Sequence, residues 1–315
     1  MSRAIVYTEF GEPEVLHEIE VPDPQPGAGK VAVRIQAAGV NPIDAKLRAG
    51  LRASAPPSVE KPRRLGMDAA GIVTAVGDDV DGYRPGDPVV LSGVNGCYAD
   101  EVVAAVDKVF ARPAAVTAAA GAALGIPVGT AYQCVRSLAI GSGDTLLVHG
   151  GSGSVGQAVI QFARLAGADV VATSSERRSD RVAALGATPV VYGPGLVDRV
   201  REVAGDGVTA ILDCAGTDEA LDASFALLED RTRIATIVRG PDAERLGIRA
   251  FSGGAPWPLT EQQLAWRAEA VPVALALMAA GAFDVELGPT LPLSDAAQAH
   301  RLVMGGVDGK ITLVP

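Results

Sequence analysis

The sequence predicts an α/β protein in two parts: a β-rich domain of short strands and a doubly wound domain with a mostly parallel sheet. Three observations predict it. Up to about residue 112, short apolar runs are separated by turn residues. From Asp144 onward, strand-like and helix-like patterns alternate. At the head of that second part, a glycine cluster stands between an apolar run and an amphipathic segment of helical length. A chain of 315 residues is long enough for about two domains, each with its own core.

Residues 3–8 and 14–20 alternate apolar and polar positions around Gly11-Glu12-Pro13, which predicts a hairpin. A link carrying Pro22, Pro24 and Pro26 leads into a strand over Lys30 to Ala38, with Val31, Val33 and Ile35 on one face. Asn41-Pro42-Ile43-Asp44 opens a short helical piece that runs to Gly50. The proline-rich, aperiodic residues 53–64 are expected to form a surface loop. Leu65 to Val76 and Asp87 to Leu91 read as strands parted by Gly77-Asp78 and Pro85-Gly86-Asp87.

From Val116 to Ser137 helical spacing replaces alternation, with Thr117 as its cap. Strands are then expected at 145–149, 169–173, 189–192, 208–213 and 232–238, and helices at 155–166, 178–185, 196–204 and 219–228. Residues 246–251 are expected to add an edge strand, followed by a helix at 260–281. The tail, helix 294–304 and strand 309–314, returns to the composition of the first part.

Hydrophobic residues make up 48% of the chain and charged residues 20%, the balance of a globular protein. A net charge of −10 argues against nucleic acid as a partner, since phosphate backbones need basic patches. Cys97, Cys134 and Cys214 are odd in number and far apart, so no disulfide framework is expected. Met1-Ser2-Arg3 does not resemble a signal peptide, and the apolar run from Val271 to Ala280 is too short to cross a bilayer. A cytoplasmic protein with no membrane partner is expected.

The glycine cluster carries the first functional signal. Gly151, Gly153 and Gly156 follow the G-x-G-x-x-G spacing after a strand and at the mouth of a helix. Glycines let the backbone approach a pyrophosphate, and the amides of the helix start, including Ser154 and Val155, face the anion. At the end of the second strand, Thr173-Ser174-Ser175-Glu176-Arg177-Arg178 has no carboxylate where one would bind the ribose hydroxyls of NAD. Ser174 and the arginines Arg177 and Arg178 suit a 2′-phosphate, so NADP(H) is the expected cofactor. Taken singly, either arginine is equally compatible with a solvated helix turn.

Gly66-Met67-Asp68-Ala69-Ala70-Gly71-Ile72-Val73, then Val76-Gly77 and Gly86-Asp87-Pro88-Val89, resemble the signature of the medium-chain dehydrogenase/reductase superfamily. Asn41-Pro42-Ile43-Asp44, Thr130-Ala131-Tyr132 and Val148-His149-Gly150-Gly151 look like its quinone oxidoreductase (zeta-crystallin-like) branch. So does Pro292-Leu293-Ser294-Asp295-Ala296-Ala297-Gln298-Ala299-His300 with Gly309-Lys310. The resemblance covers essentially the whole chain. It implies a GroES-like catalytic domain from residues 1–118 and 256–315, a Rossmann NADP-binding domain from 119–255, and a cleft where the two meet. It also implies a homodimer, and hydride transfer from NADPH to quinones or α,β-unsaturated carbonyls. Zinc-dependent alcohol dehydrogenases of the superfamily hold their metal with Cys, His and Cys where this chain has Asn41, Met67 and a residue near Ile126. Methionine and isoleucine are not zinc ligands, the four-cysteine structural site is missing, and no metal is expected.

Without a Lewis acid, alcohol oxidation loses its main driving term, whereas an electron-poor quinone or enone needs mainly alignment and water exclusion. Asn41 is the first catalytic candidate, as a donor to substrate or nicotinamide ribose, or as a turn residue before Pro42. Asp44 supports it or caps the following helix. Lys46 either stabilises charge on the reduced oxygen or is solvated surface. By resemblance, Thr130 approaches the nicotinamide half from a helix start and Tyr192 lies near the adenine-side phosphate. Ala215, Gly216, Ile237 and Val238 pass the cofactor, Phe251 and Ser252 line the cleft, and Lys310 completes the cofactor set. His149 reads as a strand-end residue, and no Ser/His/Asp triad is seen. Two alternatives share these features: an enoyl reductase of acyl-chain or polyketide biosynthesis, and a sensor that binds NADPH without turnover.

Overall fold

The computed structural model describes residues 1–51, 57–205, 207–251 and 255–315. They form two compact units, Met1–Ile126 with Val271–Pro315, and Pro127–Ala270.

In the first unit, Ser2–Tyr7 pairs antiparallel with His17–Val21, as the hairpin signal predicts. The expected loop at 53–64 ends differently: Arg63–Arg64 forms a short strand against Val6 and Tyr7. A seven-stranded sheet is ordered Leu287–Pro292, Lys310–Val314, Lys30–Gly39, Asp68–Val76, Pro88–Ser92, Val109–Ala111, with Glu101–Ala105 also paired to Lys30–Gly39. Alternating side chains of these strands, among them Val31, Val33, Val73, Leu91, Ile311 and Leu313, make one buried core. The tail strand brings distant residues together, because Thr312 pairs with Gly39 and so sets Lys310 beside the end of a strand far away in sequence.

In the second unit six strands lie in the order Thr188–Val191, Asp169–Ser174, Thr145–His149, Ala210–Asp213, Ile234–Thr236, Arg249–Ala250. Every neighbouring pair is parallel. This is the doubly wound order 3-2-1-4-5-6. Central strands covered on both faces read as continuous apolar runs, and Leu146, Leu147, Val148, Ile211 and Leu212 are all buried. The expected edge strand at 246–251 is narrower, Arg249–Ala250, because the helix Ala243–Leu246 precedes it.

The single helical run expected from Val116 to Ser137 is two helices, Ala118–Ala122 and Gly125–Ser137. Thr117 caps the first, its hydroxyl accepting from Ala120 N at 3.1 Å. The joints between the units differ from the expected 118/119 and 255/256. Ala118–Ala122 packs on the strands Lys30–Gly39 and Asp68–Val76, so it stays with the first unit. Arg267 donates to Gln133 Oε1 and to Phe251 O, so the start of helix Glu261–Ala279 stays with the second. Among the described residues no helix is long and apolar enough to cross a membrane.

Candidate functional site

The glycine turn follows strand Thr145–His149. Gly150 takes the left-handed backbone (φ 76°) that a residue with a Cβ resists. Its N–H donates to Thr173 Oγ1 at 3.0 Å, and Gly151 N–H donates to Thr173 O at 2.8 Å. Thr173 therefore ties the turn to the neighbouring strand rather than facing a ligand with its hydroxyl. Helix Ser154–Leu165 starts after Gly153, and its own ladder opens with Gln157 N to Gly153 O at 2.8 Å. The amides of Ser154, Val155 and Gly156 thus precede the first intrahelical bond, at the positive end of the helix dipole. A Cβ on Gly156 would lie 2.2 Å from Gly150 O, so only glycine allows helix and turn to approach this closely.

At the end of strand Asp169–Ser174 the backbone enters a tight turn, Glu176–Arg178. Arg177 is exposed and Arg178 half-exposed. Ser174 is buried, and its hydroxyl donates to Ser175 O at 3.1 Å. Tyr192 is 55% exposed, and its amide donates to Ser174 O. Arg181, which no sequence motif singles out, places Nε 2.8 Å from Gln157 Oε1 and so joins this region to the helix after the glycine turn.

Ala215 and Gly216 follow strand Ala210–Asp213, and Ile237 and Val238 follow Ile234–Thr236, at the carboxyl edge where open α/β sheets bind ligands. Behind them His149 is buried, with Nε2 3.2 Å from Ser224 Oγ. The Ser224 hydroxyl donates to Ala220 O at 2.6 Å, so the imidazole is the donor in that pair. Burial draws the His149 pKa down to about 4 against the opposing charge of Asp213. The ring is neutral and structural, as its strand-end position suggests.

The first unit holds a different kind of cluster. Asn41 precedes helix Pro42–Arg48, and its N–H donates to Asp44 Oδ2 at 2.9 Å. Its side-chain Nδ2 donates to Asp68 Oδ2 at 2.9 Å, and its Oδ1 accepts from Lys310 Nζ. Asp68 Oδ2 also accepts from Ile126 N at 2.9 Å, and Tyr98 OH donates to Asp44 Oδ2 at 3.0 Å. All five side chains are at most 3% exposed. Burial pushes the Asp44 carboxyl up to about 7, against the Asn41 amide. Burial likewise raises Asp68, against Lys310, and lowers Lys310, against the two carboxyls. Asn41, Asp44 and Lys310 are thus brought together, and Asp68 and Tyr98 are added. An acidic residue inside the apolar run from Leu65 to Val76 was the available signal for Asp68; Tyr98 had none.

Three expectations need correction. Thr130 lies in the second turn of helix Gly125–Ser137 and is buried, so it does not stand at a helix start. The Phe251 ring is buried, with the Arg249 guanidinium 4.9 Å from its centre and its carbonyl taken by Arg267, so it packs within the second unit. The Lys310 ammonium is engaged by Asn41 within the first unit, not presented to a cofactor. Lys46 is half-exposed on helix Pro42–Arg48, and Ser252 lies outside the described residues.

Family models for "Alcohol dehydrogenase GroES-like domain" and "Zinc-binding dehydrogenase" match residues 27–136 and 154–251. The chain is 31% identical to the quinone oxidoreductase of Mus musculus over 334 residues, covering 100% of this chain and 98% of that one. It belongs to the quinone oxidoreductase branch of the medium-chain dehydrogenase/reductase superfamily. It is an oxidoreductase. The Escherichia coli quinone oxidoreductase solved with NADPH superposes with a TM-score of 0.84 at 27% identity, over 99% of this chain and 100% of that one. A structure described as an NAD-dependent alcohol dehydrogenase has the same TM-score at 29% identity, over 99% of each chain. Membership in the superfamily therefore leaves the nucleotide and the metal to be argued from residues. For zinc the donors do not fit: Met67 and Ile126 offer no ligand, and the Asn41 carbonyl oxygen already faces an ammonium. Among the described residues no group of three or more His, Cys, Asp or Glu is arranged to hold a metal.

Proposed function

We propose that this oxidoreductase uses NADPH to reduce quinones or α,β-unsaturated carbonyls, with no step that needs zinc. The observation that carries the reading is the Asn41 amide held between Lys310 and Asp68, a buried ammonium standing where a metal-dependent relative would need anionic ligands. The glycine turn and the first-turn amides of Ser154 and Val155 hold the pyrophosphate. Arg177 and Arg178, with no acid at the strand end, bind the 2′-phosphate. The bound nicotinamide supplies the hydride, and an electron-poor acceptor asks the protein chiefly for proximity and water exclusion. Ala215, Gly216, Ile237 and Val238 shape the nicotinamide side. Residues 1–126 with 271–315 serve as the catalytic domain and 127–270 as the cofactor domain, in a cytoplasmic homodimer whose size light scattering would check.

The test is a panel of benzoquinone, naphthoquinone, phenanthrenequinone, alkenals and enoyl thioesters, read by loss of NADPH absorbance. Turnover of quinones or alkenals supports the reading. Turnover confined to enoyl thioesters would make the chain an enoyl reductase. Tight NADPH binding with no consumption across the panel would make it a sensor.

A further inference from the structure

We infer that Asp213 and Thr236, which touch no ligand themselves, are the positioning pair that shapes the nicotinamide side of the cofactor site; this rests on the proposed use of NADPH. Both side chains are 0% exposed, at the ends of adjacent parallel strands. Asp213 Oδ1 accepts from Ala215 N at 3.0 Å and from Gly216 N at 2.7 Å. Its Oδ2 accepts the Thr236 hydroxyl at 2.8 Å. Thr236 Oγ1 in turn accepts from Val238 N at 3.1 Å and from Arg239 N at 3.0 Å. Four loop amides, two from each strand end, therefore converge on one carboxyl–hydroxyl pair. The two loops also meet directly. A Cβ on Gly216 would lie 2.5 Å from Val238 Cγ1, and Arg239 Nη1 reaches Asp218 Oδ1 at 2.8 Å.

The bonding capacity of the pair explains why these residue types are needed. A hydroxyl oxygen has two lone pairs and one proton. In Thr236 the lone pairs serve Val238 and Arg239, which leaves the proton for Asp213. Asp213 must then accept on both of its oxygens. An asparagine in its place presents an N–H₂ group to one set of donors, and one loop is released. Valine in place of Thr236 keeps the shape but leaves two amides without an acceptor. Serine keeps every bond. The pair lies at the strand ends that precede Ala215–Gly216 and Ile237–Val238, away from the turn at Thr173 to Arg178 assigned to the 2′-phosphate. Its effect falls on one half of the dinucleotide.

That partition is the test. Dissociation constants for NADPH and for 2′,5′-ADP are measured calorimetrically on wild type, Asp213→Asn, Thr236→Val and Thr236→Ser, beside thermal melting of each. We expect Asp213→Asn and Thr236→Val to weaken NADPH roughly tenfold, the scale of a lost hydrogen bond. Affinity for 2′,5′-ADP should stay within about twofold, and Thr236→Ser should match wild type. If Asp213→Asn fails to fold, the near-isosteric Thr236→Val carries the measurement. Equal weakening of NADPH and 2′,5′-ADP would mean a merely structural role and overturn the inference. So would unchanged NADPH affinity in both variants. Wild type binding 2′,5′-ADP no better than 5′-ADP would instead overturn the NADPH reading beneath it.

Discussion

The carboxyl edge of the parallel sheet and the buried cluster of the other unit solve opposite problems. At the sheet edge the chemistry is carried by main-chain amides: Ser154 and Val155 at a helix start, with Gly150 and Gly156 allowing the turn. At Asn41 it is carried by side chains brought together from positions 27 and 269 residues away. Backbone presentation needs little beyond glycines at set spacings, whereas the side-chain cluster needs the whole unit folded before any partner exists. The first can be read locally. The second tolerates little loss, because two buried carboxyls share one ammonium.

The largest effect expected from breaking this contrast is Lys310→Met. Removing one member of a buried charged network typically costs about 3–5 kcal/mol, and denaturant titration should show a loss on that scale. Pairing it with Asp68→Asn removes the uncompensated carboxylate and should recover most of the loss. If Lys310→Met is no less stable than wild type, the cluster is not the constraint described.

Gly156→Ala tests the other region. Its Cβ would sit 2.2 Å from Gly150 O, and overpacking of this kind costs about 1–3 kcal/mol. NADPH affinity should fall with it, which calorimetry would show; wild-type affinity would mean that the turn does not hold the pyrophosphate.

The pH dependence separates buried groups by sign rather than by region, since His300 shares a unit with Asp44. The Asp44 pKa is raised to about 7 in the folded chain, above an unfolded value of about 3.9. Its contribution is full below about pH 4 and is lost as pH rises through about 7. The His149 and His300 pKa values are lowered to about 4 and about 3, chiefly by burial, from an ordinary value of about 6.5. Their contribution is present above about pH 6.5 and is lost as pH falls. Asp44→Asn resembles the protonated acid and keeps an acceptor for Asn41 N and Tyr98 OH. Melting temperatures should therefore vary less between pH 5 and about 7 in this variant, the window in which wild type loses the Asp44 contribution; an unchanged profile would exclude Asp44 as the titrating group.

The smallest expected effect is on nucleotide choice. Arg178→Ala should weaken NADPH about tenfold, as loss of a charge-assisted contact does, and leave NADH unchanged. Parallel calorimetry with the two nucleotides reads this directly.

The same contrast decides how much was legible in the sequence. The strand–glycine–helix order, the Thr117 cap and the edge strand near Arg249 are short-range patterns, and the fold follows them closely. Asn41 and Asp44 stood out as polar residues beside Pro42, but their partners Asp68, Tyr98 and Lys310 are set by sheet register, which no local pattern encodes. Thr130 takes its expected place from the resemblance and not from a local pattern, and the helix that holds it, Gly125–Ser137, begins at a break that a run rich in alanine does not reveal. Phe251 was misplaced because an aromatic residue at a strand end packs inward as readily as outward, and the decisive partner, Arg267, comes from the next helix.

The most direct test of the central claim is NADPH oxidation with naphthoquinone by enzyme exhaustively treated with a zinc chelator, set beside the same assay with NADH. Full turnover with NADPH is predicted after chelation, with a clear preference over NADH. Activity abolished by the chelator and restored by added zinc would contradict it.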